Sequence, residues 1–164
     1  MKIGIIADTH IPTTATKIPS KVCEYFKDCD LIIHAGDLVE MWVIDELEKI
    51  AETKAVWGNM DGPGIRERLP EKIQFEAEGK TIGVVHGRGP ASKVAKKIKE
   101  EFDKKPDIVI FGHSHVPFNE TIDGTLYFNP GSSTDRVFTP YRSFGIIEIE
   151  GDKVSAEIIK LEDE

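Results

Sequence analysis

Cysteine is scarce in this chain. Cys23 and Cys29 are the only two, and no cluster of them is spaced for a zinc ribbon. Cys23 lies among apolar residues of an expected helix and Cys29 near its end, so two reduced, packed thiols are expected, not a disulfide. Long hydrophobic runs are missing too. Asp8 breaks the N-terminal apolar stretch, which argues against a secretory leader, and nothing approaches the ~20 residues that span a bilayer. The cytoplasm is the expected location, with no membrane partner. A basic run is also absent: 21 Lys and Arg are spread along the chain against 29 Asp and Glu, for a net charge of −8. That excludes an extended nucleic-acid surface, but not a small anion held by a local positive site.

The 164 residues are 40% hydrophobic and 30% charged, as expected of one globular domain over 1–164. Short apolar runs at 2–7 (KIGIIA) and 31–33 (LII) read as strands covered on both faces. Between them Pro19 can open a helix with Val22, Cys23 and Phe26 on one side. Val43, Ile44, Leu47, Ile50 and Ala51 then recur at helical spacing, and 55–57 (AVW) reads as a third strand. This β-α-β-α-β order implies a parallel sheet.

The middle of the chain changes character. Segments 72–78 and 80–85 flank Gly79 as a hairpin, and a helix carrying Val94, Ala95, Ile98 and Phe102 follows Pro90. Another buried strand is expected at 107–111, then short antiparallel strands from Asn119 with turns at 123–124 and 151–152. Two sheets are the economical reading.

Ligands in α/β proteins bind beyond the carboxyl ends of parallel strands. The first strand ends in Asp8-Thr9-His10, the second in His34-Ala35-Gly36-Asp37 and the third in Gly58-Asn59-Met60-Asp61. Strand 80–85 ends in His86-Gly87, and strand 107–111 in Gly112-His113-Ser114-His115. All five histidines of the chain therefore sit at strand ends, accompanied by carboxylates and glycines. One such histidine is ordinarily packing. Together they point to metal.

In this order D-x-H, G-D, G-N-x-D, H-G and G-H-S-H resemble the calcineurin-like metallophosphoesterases, and most closely the small phosphodiesterases of the YfcE type. The resemblance implies a four-layer α-β-β-α sandwich of two mixed sheets flanked by helices. It also implies that Asp8, His10 and His115 hold one metal, that Asp37 bridges to a second, and that Asn59, His86 and His113 complete the second site. Asp37, Asn59, His86 and Asp8 would then be the catalytic residues. Imidazole mixed with carboxylate suits transition metals: Mn²⁺ first, with Ni²⁺, Co²⁺, Fe²⁺ or Zn²⁺ as alternatives. Two aspartates, two divalent ions and a bridging hydroxide leave a charge of about +1, so an acidic protein can present a cationic pocket to phosphate. Two such metals activate the hydroxide and clamp the phosphoryl oxygens during attack.

The implied activity is hydrolysis of a small or nucleotide-like phosphodiester. Many relatives carry His after the Asn of G-N-H-E; here Met60 stands there, which cannot donate a proton, and Asp61 replaces the Glu. Substrates with good leaving groups are expected. Arg88 either holds a phosphate oxygen or faces solvent. Ser132, in a 129–132 turn resembling a loop that lines the site in relatives, and Arg136 are further candidates for substrate contact. His34 suggests a buried polar role. Trp42 and Met41 could cap the pocket, contact a subunit or pack in the core, and a homo-oligomer is compatible with the sequence. The alternative function is a non-catalytic metal-binding scaffold of the Vps29 type, although such scaffolds usually lose ligand residues that this chain keeps.

Overall fold

A computed structural model describes residues 1–162. Strands β1 (Lys2–Ile6), β2 (Leu31–His34) and β3 (Glu52–Ala55) alternate with helices α1 (Ser20–Phe26) and α2 (Trp42–Glu48). A one-turn helix α3 (Pro63–Arg66) leads to the hairpin β4 (Lys72–Ala77) and β5 (Lys80–Val85). Helix α4 (Ala91–Lys97) continues into a 3₁₀ turn (Ile98–Glu100), followed by β6 (Ile108–Ile110). The chain finishes with β7 (Phe118–Ile122), β8 (Thr125–Asn129), β9 (Ser143–Glu150) and β10 (Lys153–Lys160). Among the described residues no helix is long and apolar enough to cross a membrane.

The strands form two mixed sheets, ordered β10-β9-β1-β2-β3 and β4-β5-β6-β8-β7. In the first, β1, β2 and β3 run parallel, as the helical crossovers require, and β9 adds antiparallel to β1. In the second, β5, β6 and β8 are parallel and both outer strands antiparallel. Period-two alternation then divides each strand between two cores. Ile3, Ile5, Leu31 and Ile33 pack between the sheets against Ile82, Val84, Ile108, Ile110 and Phe128. Ile6 and Ile32 point the other way, against Val22 and Phe26 of α1 and Val43 and Leu47 of α2. Val94 and Ile98 cover the outer face of the second sheet at Val85, Val109 and Phe111. The result is the four-layer α-β-β-α sandwich.

Three details differ from the sequence reading. The third strand lies at Glu52–Ala55, not 55–57, because it is a sheet edge. An edge strand needs pairing on one side only and tolerates Glu52 and Lys54, so it lacks an apolar signature. The Val56 N–H still donates to the His34 carbonyl (3.1 Å), but Trp57 turns away to Pro70. Secondly, α2 and α4 stop before Ile50 and Phe102, which pack on the core from beyond the helix ends. Thirdly, the closing strands, expected to be antiparallel, include one parallel pairing, that of β8 with β6. The β7–β8 hairpin joins the second sheet beside β6, whereas β9 and β10 return to the first.

Candidate metal centre

Parallel neighbours end at the same edge, so the carboxyl ends of β1, β2 and β3 share one pole of the sandwich with those of β5 and β6. The His113 N–H donates to Asp8 Oδ2 (2.9 Å) and stitches the two sheets together there. Asp8 is completely buried, and its Oδ1 lies 3.9 Å from His10 Nε2, 3.8 Å from His86 Nε2 and 3.6 Å from His115 Nε2. Asp37 Oδ2 lies 3.3 Å from His10 Nε2 and 3.2 Å from His86 Nε2. On the far side, Asn59 Oδ1 is 3.0 Å from both His86 Nε2 and His113 Nδ1. The imidazoles thus form two pairs, His10 with His115 and His86 with His113, at ring-centroid separations of 5.1 and 5.2 Å.

Second contacts fix which nitrogen faces inward. His86 Nδ1–H donates to the Ala35 carbonyl (2.7 Å) and His113 Nε2–H to the Gly89 carbonyl (2.8 Å). His115 Nδ1–H donates to the Asp135 carboxylate (2.5 Å). Each ring is left with a lone pair directed at the centre. Lone pairs facing the Asn59 oxygen and two carboxylates are poor company unless a proton or a metal ion lies among them. Asp8 Oδ1 and His10 Nε2 make the same demand, being buried without a hydrogen-bond partner. Asp8, His10 and His115 form one group whose ligand atoms all lie within 4.8 Å of one another, and Asp8, Asp37 and His86 form another. The donor set fits divalent transition metals.

Electrostatics agree. Burial raises the Asp8 pKa, the neighbouring imidazoles offsetting only part of it. Burial acts on Asp37 too, but the His10 and His86 imidazoles set against it overcome that and hold the carboxyl well below the usual range. Burial disfavours the His86 imidazolium, yet its bond to Asp37 and the charges of Asp8 and Asp37 push its pKa up to about 9. Without metal, the carboxylates favour protons on His10 and His86.

The backbone is bent to hold these groups. Asp8 (φ 51°), His10 (42°), Asp37 (59°), His113 (70°) and His115 (58°) are all left-handed, at a cost of order 1 kcal/mol each. Glycine is needed where the chain crowds in: a Cβ on Gly58 would lie 2.2 Å from Asp37 Oδ1. Asp61 underlies this loop, its buried carboxylate accepting the N–H groups of Asp37 (2.9 Å), Gly58 (2.8 Å) and Val39 (2.7 Å). The Met60 N–H donates to Asp37 Oδ1 (2.7 Å), while its side chain faces solvent.

The remaining candidates lie further out. His34 is buried: it accepts the Gly36 N–H at Nδ1 (3.2 Å), bonds Thr9 Oγ1 through Nε2 (3.0 Å), and is kept neutral by burial, its pKa lowered to about 3. Ser132 is fully buried and its hydroxyl donates to the Asp8 carbonyl (2.8 Å), which makes it a tie for the ligand loop. Arg88 is exposed and pairs with Glu101 (3.2 Å). Arg136 lines a separate depression with Tyr141 and Lys160. Met41 packs on the outer core, and Trp42 lines a groove between α1 and α2, so neither caps the centre. Sequence reasoning missed Asp135. Its one signal was a polar run, Ser132-Ser133-Thr134-Asp135, too rich in small residues for ordinary core yet entirely buried.

Residues 1–152 match the model of the calcineurin-like phosphoesterase superfamily domain. The chain belongs to that family. A probable metallophosphoesterase of Methanothermobacter thermautotrophicus is 39% identical, over 98% of this chain and 92% of its own. A phosphodiesterase of Methanocaldococcus jannaschii is 31% identical, over 92% of this chain and 94% of its own. The structure of vacuolar protein sorting 29 from Cryptosporidium parvum superposes with a TM-score of 0.83, covering 99% of this chain and 92% of that one, at 24% identity. The last likeness is one of fold. A calcineurin-like phosphoesterase implies divalent metal ions, and the Asp and His clusters at the strand ends can bind them.

Proposed function

We propose that the chain is a dinuclear-metal phosphodiesterase for small or exposed phosphoesters. The observation that supports this reading is the convergence of Asp8, His10, Asp37, Asn59, His86, His113 and His115 on one pole, with buried Asp8 Oδ1 and His10 Nε2 making no hydrogen bond. Asp8, His10 and His115 would hold one ion and Asn59, His86 and His113 the other, with Asp37 shared. Bound there, the ions supply a hydroxide nucleophile at neutral pH and positive charge for the phosphoryl oxygens. Asp37, fixed by the Met60 N–H, stands between the two halves, 3.3 Å from His10 Nε2 and 3.2 Å from His86 Nε2. The Ala35 carbonyl keeps His86 Nδ1 protonated and so commits Nε2 to the centre. Met60 offers no proton to a departing alkoxide, so good leaving groups are favoured.

The test is hydrolysis of bis-p-nitrophenyl phosphate by chelator-stripped protein titrated with Mn²⁺, with p-nitrophenyl phosphate alongside. Metal-dependent turnover, faster on the diester, is expected, as is much slower turnover of methyl p-nitrophenyl phosphate on the alkyl side. Binding of Mn²⁺, Ni²⁺, Co²⁺ and Zn²⁺ without turnover of any ester would overturn the reading in favour of a metal-holding scaffold.

A further inference from the structure

Beside Asn59 and His86 the surface sinks into a cleft of about 250 Å³, lined also by Trp57, Arg66, Glu71 and Arg88. Trp57 is partly buried, packed on the outer core, and the Arg66 guanidinium lies over its indole at 4.3 Å. Arg66 Nε–H donates to the Asp61 carbonyl (2.7 Å) and its Nη2–H to the Asn59 carbonyl (3.1 Å). These bonds hold the guanidinium over the ring and anchor it to the loop that presents Asn59. Across the cleft Arg88 is paired with Glu101 and lies 3.9 Å from Glu71.

A planar cation backed by an indole, held by two carbonyls and exposed to solvent offers its outer side. Such a plane stacks on planar π systems, nucleobases among them. The lining is more apolar than polar, and the charges that Arg66, Arg88 and Glu71 add to it suit an occupant with an apolar face and polar edges. The cleft's volume is below the ~300–1,000 Å³ of pockets that enclose a whole drug-sized ligand, so it has room for one arm of a substrate. Because Asn59 and His86 form part of its wall, that arm is continuous with whatever sits at the metal centre.

We infer that this cleft is a subsite for a planar, polar substituent, a nucleobase-type ring, stacked on Arg66 while its phosphate lies at the centre. The inference rests on the proposed function for the placement of the phosphate. In a diester substrate one arm would occupy the cleft and the other would leave.

Equilibrium titration of the Mn²⁺-loaded protein with adenosine 5′-monophosphate and with ribose 5-phosphate tests it, since the two share a phosphate and sugar and differ in the base. Adenosine 5′-monophosphate is expected to bind roughly tenfold tighter, the scale of one stacked base. Arg66→Lys keeps the charge but removes the plane, and is expected to erase most of that difference. Equal affinities, no measurable binding of the nucleotide, or an undiminished preference in Arg66→Lys would overturn the subsite. The wild-type comparison stands even if the variant folds poorly. A clear nucleotide preference in a protein that hydrolyses no diester would leave the subsite in place and bring down the catalytic reading alone.

Discussion

The two flanks of the candidate metal centre are built from similar side chains and anchored by different chemistry. His86 and His113 lean on backbone carbonyls, Ala35 and Gly89. His115 leans on the Asp135 carboxylate, whose other oxygen accepts the N–H groups of Val137 (2.8 Å) and Phe138 (3.2 Å). A carbonyl sets the direction of an imidazole; a carboxylate sets direction and also makes the ring a stronger donor. The surroundings diverge in the same way. One flank opens into the Arg66 cleft, while the other runs into a loop where Val137 and Phe138 are each 77% exposed. Similar ligand types therefore do not make equivalent sites.

Asp37 touches both flanks, so removing it breaks both. Asp37→Asn is expected to cut diester turnover by a hundredfold or more, on the scale of several kcal/mol of lost charge stabilisation, checked by steady-state assay with Mn²⁺. Asp135→Asn acts on one flank alone. It should weaken one of two ions by ~10–100-fold while the other titrates as in the wild type, which calorimetry resolves. Parallel weakening of both ions would show that the flanks are coupled and the contrast superficial.

Acid–base behaviour sharpens the carbonyl-anchored flank. Folding raises the His86 pKa to about 9 in the absence of metal, from ~6.5 in the unfolded chain. Its stabilisation is full below ~6.5 and lost as pH rises through about 9, so the melting temperature of stripped protein should fall across that window. Metal-loaded protein, with an ion in the proton's place, should lack that fall. Asp61→Ala strips three backbone donors of their acceptor beneath Asp37 and should cost ~1–3 kcal/mol in denaturant unfolding. The smallest effect belongs to Val39, a β-branched residue at φ 75°. Val39→Gly should raise stability by ~1 kcal/mol and leave the metal stoichiometry unchanged.

Most of the strand order and every metal-capable strand end were legible in the sequence, because buried parallel strands are apolar runs that stop abruptly at polar residues. The edge strand β3 was not, since Glu52 and Lys54 carry no burial pattern. Nor was the return of β9 to the first sheet, which depends on a partner at the opposite end of the chain. Asp135 was hidden for a related reason: its partner His115 is 20 residues away, and a lone aspartate after a turn reads as solvent-exposed. The left-handed backbone at Asp8, His10, Asp37, His113 and His115 leaves no trace in composition. Aspartate and histidine tolerate that conformation better than most residues, so the strain is carried by the ligand types themselves.

The candidate ligands come from both sheets: Asp8, His10, Asp37 and Asn59 follow strands of one, and His86, His113 and His115 strands of the other. Any ion bound among them is a clasp across the seam of the sandwich. Its binding energy adds to the cohesion of the two halves by mass action, so a chelator would loosen the fold along that seam while each sheet's own hydrogen-bond ladder stayed intact.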